Sequence, residues 1–469
     1  MRRTSRFLLI SLAALAAGCT AGADYTRPVV EVPSAHRGDT PAAAGTASLG
    51  DVAWTEVFRD EALTRLISSA LERNFDLRVA TERVLQARAA FRITRSDQFP
   101  AVDASLGLQA ARSAPAGALG VVPPGIDTEV AYTQVGFSLG WELDVWGRLR
   151  RLTEAARAQY LATENARRGV ITTLIGDVAE TYLTLRALDL ELEIAQRTQE
   201  VARENLRLTE ARRERGVASA LDVRQAEQLL HPTRVQLATL EREIVQVENA
   251  VSLLVGQAPG DIPRGATLET FPVPPAVPAG LPSTLLERRP DIRQAEHALI
   301  AANAQIGAAR AEYFPRIALT GLLGTQSRAL SDLLSGPATI WSAGAVATAP
   351  IFNAGRTRAN VQLTEALYRE AVVEYERVVF TALREVSDAL AAYRRTSEGR
   401  GHQERLVEAL RASTRLSTDR YASGLDSYLP VLDSQRNLFQ GELDLARLRR
   451  QELAAIVQLY RALGGGWST

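Results

Sequence analysis

The sequence contains almost no sulfur and no lysine. Its 469 residues include one cysteine and one methionine, and all 54 of its cationic side chains are arginine. A lone cysteine cannot form an intrachain disulfide, and the four histidines, at positions 36, 231, 297 and 402, lack the spacing of metal ligands. No glycine-rich phosphate loop precedes a helical pattern, and no nucleophile motif is present. These absences predict a protein that is not an enzyme and uses no cofactor.

The chain also lacks an excess of either charge. Its 54 arginines are matched by 54 acidic residues, and no long basic block occurs. This balance argues against a nucleic-acid partner. Beyond the N-terminal leader, no segment reaches the roughly 18 apolar residues of a membrane-spanning helix.

The one cysteine stands at an informative position. Three arginines in the first six residues precede an apolar run, Phe7–Ala17, which is followed by Gly18 and Cys19. This order is typical of a signal peptide, residues 1–18, that ends in a lipobox. Cleavage would leave Cys19 as an acylated, palmitate-bearing N-terminus on a tether, residues 19–53. Thr20, the residue after the cysteine, is compatible with sorting of the lipoprotein to the outer membrane. The alternative to a lipobox is a plain secretory signal with a chance cysteine.

The chain repeats itself internally. Phe99-Pro100 recurs as Phe314-Pro315, and Gly147-Arg148 recurs as Gly355-Arg356, with other matches at similar offsets. Two copies of one supersecondary unit predict a tandem architecture. We expect a first repeat over residues 54–256 and a second over 283–466. A linker, residues 257–282, holds much of the chain's proline and is expected to have little regular structure.

Each repeat contains two segments in which apolar and polar residues alternate. Alternation with a period of two predicts strands at about 101–112, 130–143, 316–327 and 339–351. None of the apolar faces carries a charge. Each segment has about the nine to eleven residues that a tilted strand needs to cross a bilayer.

Each strand pair is followed by a very long helical segment. Residues 147–215 contain no proline, and at about 1.5 Å per residue their helix would be on the order of 100 Å long. Residues 356–423 are the counterpart. Each helix turns at a glycine, Gly216 or Gly424, and a return helix follows. The three glycines that start at Gly464 are expected to form a flexible C-terminus.

Four membrane strands cannot stand alone in lipid, because an open sheet leaves edge N–H and C=O groups unpaired. Two copies of the chain would close eight strands around a lumen filled by side chains, whereas three would close twelve around a water-filled passage. The predicted fold is mainly α with a membrane β part, in which long helices continue a shared barrel. The alternative is a soluble domain with core strands and an ordinary coiled coil.

Several motifs, spread over nearly the whole mature chain, support a family resemblance. They are Asp24-Tyr25-Thr26-Arg27-Pro28, Phe58-Arg59-Asp60, Leu286-Glu287-Arg288-Arg289-Pro290-Asp291, Ala301-Ala302-Asn303-Ala304 and Pro350-Ile351-Phe352. With these motifs the chain resembles outer-membrane factors of the TolC superfamily, specifically the efflux lipoproteins of the NodT/OprM type. Glu61, where proline is usual, and Ala53, where a second tryptophan is common, are small departures.

The resemblance implies a homotrimer with a twelve-stranded β-barrel in the outer membrane and an α-helical barrel in the periplasm. Such a trimer is the exit duct of a tripartite efflux system and passively conducts drugs or other small molecules, as in multidrug resistance. A periplasmic adaptor would dock on it. An inner-membrane transporter, expected to be of the RND type, would supply the energy.

The resemblance also implies where function lies. The turns at Gly216-Val217 and Gly424-Leu425 would be periplasmic tips that dock the adaptor, although they are equally typical of helix C-caps. Leu429 and Asp433, with Arg436 nearby, would constrict the aperture. Asp222 and Tyr421 match a pair that ties neighbouring helices together in relatives. For each of these charged residues, the alternative is an ordinary position on an exposed helix surface. The chain has Asp426 where some relatives add an arginine to that tie.

A second functional hypothesis is a periplasmic adaptor or scaffold lipoprotein with a long helical hairpin. Adaptors carry one such hairpin flanked by soluble β domains. This chain has two hairpin patterns, each preceded by strands of membrane type, and the pattern therefore favours the channel.

Overall fold

The computed structural model describes residues 20–37, 48–112, 116–117, 120–121, 129–272 and 278–467. The signal peptide and Cys19 lie outside these ranges. Within them, no helix is both long enough and apolar enough to cross a membrane.

Among the described residues, the first half of the chain contains three α-helices, four strands and an α-helical hairpin. The elements are α1 (Trp54–Val57), α2 (Glu61–Arg73), α3 (Phe75–Ser96), β1 (Ala101–Arg112), β2 (Ala116–Gly117), β3 (Gly120–Val121), β4 (Glu129–Leu143), α4 (Arg148–Glu214) and α5 (Ala220–Leu254).

Within the described ranges, the second half repeats this order in a shorter form, with two α-helices before two strands and a second α-helical hairpin. The elements are α6 (Leu285–Arg288), α7 (Pro290–Ala311), β5 (Arg316–Ser327), β6 (Thr339–Thr348), α8 (Arg356–Ala422) and α9 (Leu429–Ala462). The helices α4 and α8 each contain 67 residues.

The four long strands form one antiparallel sheet in the order β1-β4-β5-β6, so that β4 and β5 join the two repeats. The register brings the apolar positions of all strands onto the same face: Leu106 lies opposite Val135, Phe137 opposite Leu323, and Leu323 opposite Trp341. Leu106 and Trp341 are exposed by 73% and 76%. On β1 and β6 this face therefore has no partner layer among the residues that the structure describes.

The opposite face of the sheet is mostly polar or small, although it also carries Leu322, Ile340 and Val346. It carries Ser105, Gly136 and Gly324 on neighbouring strands. Because successive side chains of a strand point to opposite faces, this two-sided division follows directly from the alternation in the sequence.

The chain divides into two compact units. One comprises Met1–Pro28, Val84–Thr163 and Ala295–Tyr375 and contains the sheet. In it, Trp146 stacks on Phe314 with ring centroids 4.7 Å apart, and the indole N–H donates to the carbonyl of Pro315. Asp144 accepts the backbone N–H groups of Leu149 and Arg150, which fixes the first turn of α4.

The N-terminal segment is held against this same unit. Ala21 donates to the carbonyl of Trp146, and Thr20 lies beside Gly147, where an added Cβ would come within 2.9 Å of the Thr20 side chain. Arg151 is buried and pairs with Asp24 at 2.8 Å. The Asp-Tyr-Thr-Arg-Pro motif thus belongs to a docked segment, and its Arg27 pairs with Glu296.

The other unit comprises Val29–Arg83, Glu164–Gln294 and Glu376–Thr469 and contains most of both hairpins. Here the expectation of a flexible C-terminus is wrong, because Gly464, Gly465 and Gly466 are buried. An added Cβ at Gly465 would overlap the ring of Tyr460, whose hydroxyl donates to the carbonyl of Val52. At Gly465 no side chain fits, whereas Gly464 and Gly466 have positive φ angles that suit glycine.

Candidate functional site

The first hairpin tip is a compact helix stop followed at once by a new helix. Gly216 has φ +75°, a conformation that suits glycine, and Val217 N–H donates to Arg212 C=O while Gly216 N–H donates to Arg213 C=O. This pair of bonds is a Schellman C-cap. Ser219 then caps α5, since it accepts from Asp222 N–H and the Asp222 carboxylate accepts from Ser219 N–H in return.

The second tip ends its helix in the same way. Gly424 has φ +75°, Leu425 N–H donates to Arg420 C=O, and Gly424 N–H donates to Tyr421 C=O. It begins the next helix differently, because Tyr428 makes no side-chain cap and a proline occupies the first turn of α9. Arg420 closes this turn by pairing with Asp426 at 2.5 Å. Its hydrogen bond holds the pKa of the Asp426 carboxyl below the usual range.

Both tips present apolar side chains to solvent. Val217 and Leu425 occupy equivalent positions and are each exposed by 67%. Leu221 and Leu429, also equivalent, are exposed as well. Exposed apolar side chains clustered on otherwise polar helix ends are typical of an interaction surface.

A small apolar core lies directly behind the tips and joins the two hairpins. The rings of Tyr421 and Tyr428 meet edge to face at 5.2 Å inside it. Burial, together with the neighbouring Tyr421, raises the pKa of Tyr428 to about 12. The other buried members are Ala202, Ala226, Leu229, Leu230, Val431 and Leu432.

The three predicted aperture residues of α9 lie on one face of that helix. Leu429, Asp433 and Arg436 are four and three residues apart, a spacing that aligns side chains along a helix, and all three are exposed. Asp433 accepts a hydrogen bond from Asn437 at 3.2 Å. The helix therefore presents an apolar side chain, a carboxylate and a guanidinium in sequence from the tip.

The structure does not bring Asp222 and Tyr421 together. The Asp222 carboxylate accepts from the backbone N–H and the hydroxyl of Ser219, at 2.8 and 2.9 Å. The Tyr421 hydroxyl is buried and has no hydrogen-bond partner in the part of the chain described. Asp222 is committed to its own helix cap instead.

Sequence reasoning missed Arg212, which contacts Tyr421 from the other hairpin. Its guanidinium carbon lies 4.6 Å from the centroid of the Tyr421 ring. The repeat indicates that Arg212 lacks the local partner of its counterpart, but it does not indicate which residue Arg212 contacts: Arg212 is equivalent to Arg420, whereas Ala218 stands where Asp426 stands in the second copy. Arg212 thus lacks the local acid that holds Arg420.

The described residues contain no candidate metal site. Across these ranges, no group of three or more histidine, cysteine, aspartate or glutamate side chains is arranged to hold an ion.

The family described as "Outer membrane efflux protein" matches residues 66–257 and 281–465. The chain is 42% identical over 414 residues to a toluene efflux pump outer membrane protein, TtgI, of Pseudomonas putida, covering 88% of this chain and 87% of the relative.

Solved structures of outer membrane proteins are similar to this chain as well. A membrane protein from Pseudomonas aeruginosa superimposes with a TM-score of 0.88 at 36% identity, over 95% of this chain and 100% of the other. The open state of the Neisseria gonorrhoeae MtrE outer membrane channel gives a TM-score of 0.87 at 32% identity, over 96% and 99%.

These similarities span both repeats, and they confirm the expected fold and the expected absence of enzymatic function. The chain belongs to the outer membrane efflux protein family, whose members are transport channels of the outer membrane and not enzymes.

Proposed function

We propose that the working molecule is a homotrimer in which three four-stranded sheets close one twelve-stranded barrel. The observation that supports it is the sheet itself: β1 and β6 are its two edges, and its apolar face, which is exposed on β1 and β6, runs across all four strands. Unpaired edges in lipid cost several kcal/mol for each backbone group. Pairing β6 of one copy with β1 of the next removes both edges.

The trimer would be the exit duct for drugs or other small molecules, which it conducts passively. The small and polar face of the sheet, with Ser105 and Gly136, would line the passage, and the apolar face would contact outer-membrane lipid. The helices α4, α5, α8 and α9 would continue the passage as a periplasmic tube.

The anchor in this proposal is an acyl group, palmitate included, on Cys19. Its support is the docked segment that follows: Thr20 lies against Gly147 and Ala21 binds Trp146, at the junction of β4 and α4. An acyl chain one residue earlier would start at the end of a membrane strand. Metabolic labelling with palmitate should mark the wild-type chain and leave a Cys19→Ser variant unlabelled.

The tips would serve two roles. Gly216 with Val217, and Gly424 with Leu425, would dock the periplasmic adaptor through exposed apolar side chains.

Three copies of Leu429 and Asp433, with Arg436 behind them, would ring the aperture. Tyr421 supports this ring from the core, and Asp222 fixes the start of α5. Carboxylates crowded on a three-fold axis would favour cations.

The inner-membrane partner in this proposal is a transporter of the RND type, in keeping with the likeness to NodT/OprM-type lipoproteins. Deleting the gene and measuring drug susceptibility beside deletions of candidate RND transporters would test the pairing. Identical susceptibility profiles for both deletions are expected. A profile that matched a different transporter class would contradict it.

The trimer and its aperture can be tested with purified protein. Heat-resistant trimer bands from the outer-membrane fraction are expected, and a monomer that stays soluble without detergent would contradict them. In planar bilayers, Leu429→Ala and Asp433→Ala trimers should conduct more than wild type. If both variants conduct as wild type does, Leu429 and Asp433 do not constrict the aperture.

A further inference from the structure

One side chain connects the two hairpins at the tip in a way that the repeat does not predict. Arg212, near the end of α4, reaches across to α8 of the other hairpin. Its guanidinium covers the Tyr421 ring at 4.6 Å, and its Nη1 donates to the Tyr421 carbonyl at 3.4 Å. A cation over an aromatic face is attracted by the ring, and a cation also favours the carbonyl end of a helix.

The equivalent arginine of the second repeat does something else. Arg420 is held inside its own turn by Asp426, with N–O distances of 2.5 and 3.2 Å. Arg212 has Ala218 at the matching position and therefore finds its partners on the neighbouring hairpin. The chain thus has one arginine that closes a tip and one that joins two tips.

The ring that Arg212 covers is well placed to transmit this contact. Tyr421 packs edge to face on Tyr428, the residue directly before Leu429. Tyr428 is 1% exposed and lies in the core that Ala202 and Leu229 of the first hairpin complete. A side chain that holds Tyr421 therefore also restrains the start of α9.

We propose that Arg212 is the positioning residue that latches the second hairpin to the first within each subunit, acting through the face of the Tyr421 ring. This inference rests on the proposed aperture at Leu429 and Asp433. The latch does not use the Tyr421 hydroxyl, which has no partner in the described chain, nor Asp222, which is occupied by Ser219. Loss of the latch lets α9 move outward and widens the aperture.

The substitutions at position 421 distinguish a ring latch from a hydroxyl tie. Tyr421→Phe keeps the ring and the backbone carbonyl and removes only the hydroxyl. Tyr421→Leu removes the ring. Arg212→Lys keeps the charge but replaces the flat guanidinium with a compact, more strongly hydrated group. Arg207→Ala is the matched control, because Arg207 lies on the same helix and pairs only locally with Glu204.

The measurement is single-channel conductance of purified trimers in planar bilayers without adaptor, with Leu429→Ala as the positive control. Arg212→Ala and Tyr421→Leu should each raise the population of the open tip roughly fivefold, which is the range of one partly buried cation–π contact. The double variant should add nothing to either single one, and Arg212→Lys should fall between. Tyr421→Phe and Arg207→Ala should conduct as wild type. Heat resistance of each trimer checks that it is folded.

Two results would overturn the latch while leaving the aperture intact. One is wild-type conductance of Arg212→Ala beside raised conductance of Leu429→Ala. The other is raised conductance of Tyr421→Phe, which would assign the tie to the hydroxyl. If Leu429→Ala and Asp433→Ala also conduct as wild type, the aperture fails, and the latch fails with it.

Discussion

Gly136 on β4 and Gly324 on β5 lie opposite each other across the strand pair that joins the two repeats. An added Cβ on Gly324 would overlap the carbonyl of Val135 and come within 2.7 Å of the Gly136 Cα. The backbones approach so closely here that neither position has room for a side chain. This contact is therefore the point at which the sheet depends most directly on glycine.

Gly324→Ala should weaken the sheet by about 1–3 kcal/mol, because the strands must separate locally to admit a methyl group. Gly321→Ala is the matched control in the same strand, since its added Cβ would meet nothing closer than 3.6 Å. We expect the heat-modifiable, folded band on an electrophoresis gel to decrease for Gly324→Ala only. Equal loss in both variants would show that any glycine in β5 is needed.

Asp60 connects the start of α2 to the segment after α5. Its carboxylate accepts from Leu63 N–H at 2.8 Å and from Ala266 N–H at 2.7 Å, and it is 4% exposed. Asp60→Ala should lower the free energy of unfolding by about 2–4 kcal/mol, since a helix cap and a buried charged hydrogen bond are lost together. Asp60→Asn keeps one acceptor oxygen and should cost less. Thermal unfolding in detergent measures both variants. If Asp60→Asn costs as much as Asp60→Ala, the hydrogen bond that asparagine retains does not contribute to stability.

Glu442 on α9 is held by two arginines from different helices. It pairs with Arg197 of α4 at 2.8 Å and with Arg411 of α8 at 2.7 Å. Its side chain is 8% exposed, whereas the arginines are 52% and 59% exposed. Each single arginine-to-alanine change should cost about 0.5 kcal/mol, because the other arginine remains and solvent screens an exposed cation.

The double variant, Arg197→Ala with Arg411→Ala, should cost clearly more than the sum of the single variants. It leaves a buried carboxylate without a partner, at a cost of about 2–3 kcal/mol. A double-mutant cycle by thermal unfolding tests this non-additivity. Simple additivity would mean that Glu442 is hydrated when both arginines are absent.

Tyr428 should make the hairpin tips sensitive to alkali. Its pKa is raised to about 12 by burial, whereas an unfolded tyrosine ionises near 10. A raised pKa in the folded state gives stability that is fully present below about pH 10 and is lost as the pH rises toward 12. Tyr428→Phe cannot ionise and should lose less stability than wild type over this interval, by up to about 2 kcal/mol. Identical alkaline unfolding curves would contradict the burial of this hydroxyl.

The pattern of the sequence anticipated the regular elements well, because their causes are local. β1 and β5 span residues 101–112 and 316–327, the segments where the alternation begins directly after proline. β6 ends at Thr348 instead of residue 351, since Pro350 cannot donate to a sheet and Ile351 is 94% exposed.

The candidate site was anticipated only where helical spacing determines it. Leu429, Asp433 and Arg436 share a face because of their spacing alone. The Asp222–Tyr421 pair was expected from resemblance, but Ser219 and Asp222 form a local capping box, and a short-range contact of this kind competes effectively with a distant one. Arg212 over Tyr421 depends on how two hairpins pack, which no pattern within either hairpin contains.

Glycine offers a last pair of opposite predictions. Gly401 lies inside the unbroken helix α8 with open space around its Cα, whereas Gly465 lies against the Tyr460 ring. Gly401→Ala should raise the free energy of unfolding by about 0.5–1 kcal/mol, because alanine loses less backbone entropy in a helix. Gly465→Ala should lower it by about 1–3 kcal/mol, because the added methyl would lie within 2.6 Å of the Tyr460 ring. Thermal unfolding of the two variants beside wild type measures both changes in the free energy of unfolding. If Gly465→Ala is as stable as wild type, the glycines of the C-terminus are flexible, as the sequence suggested.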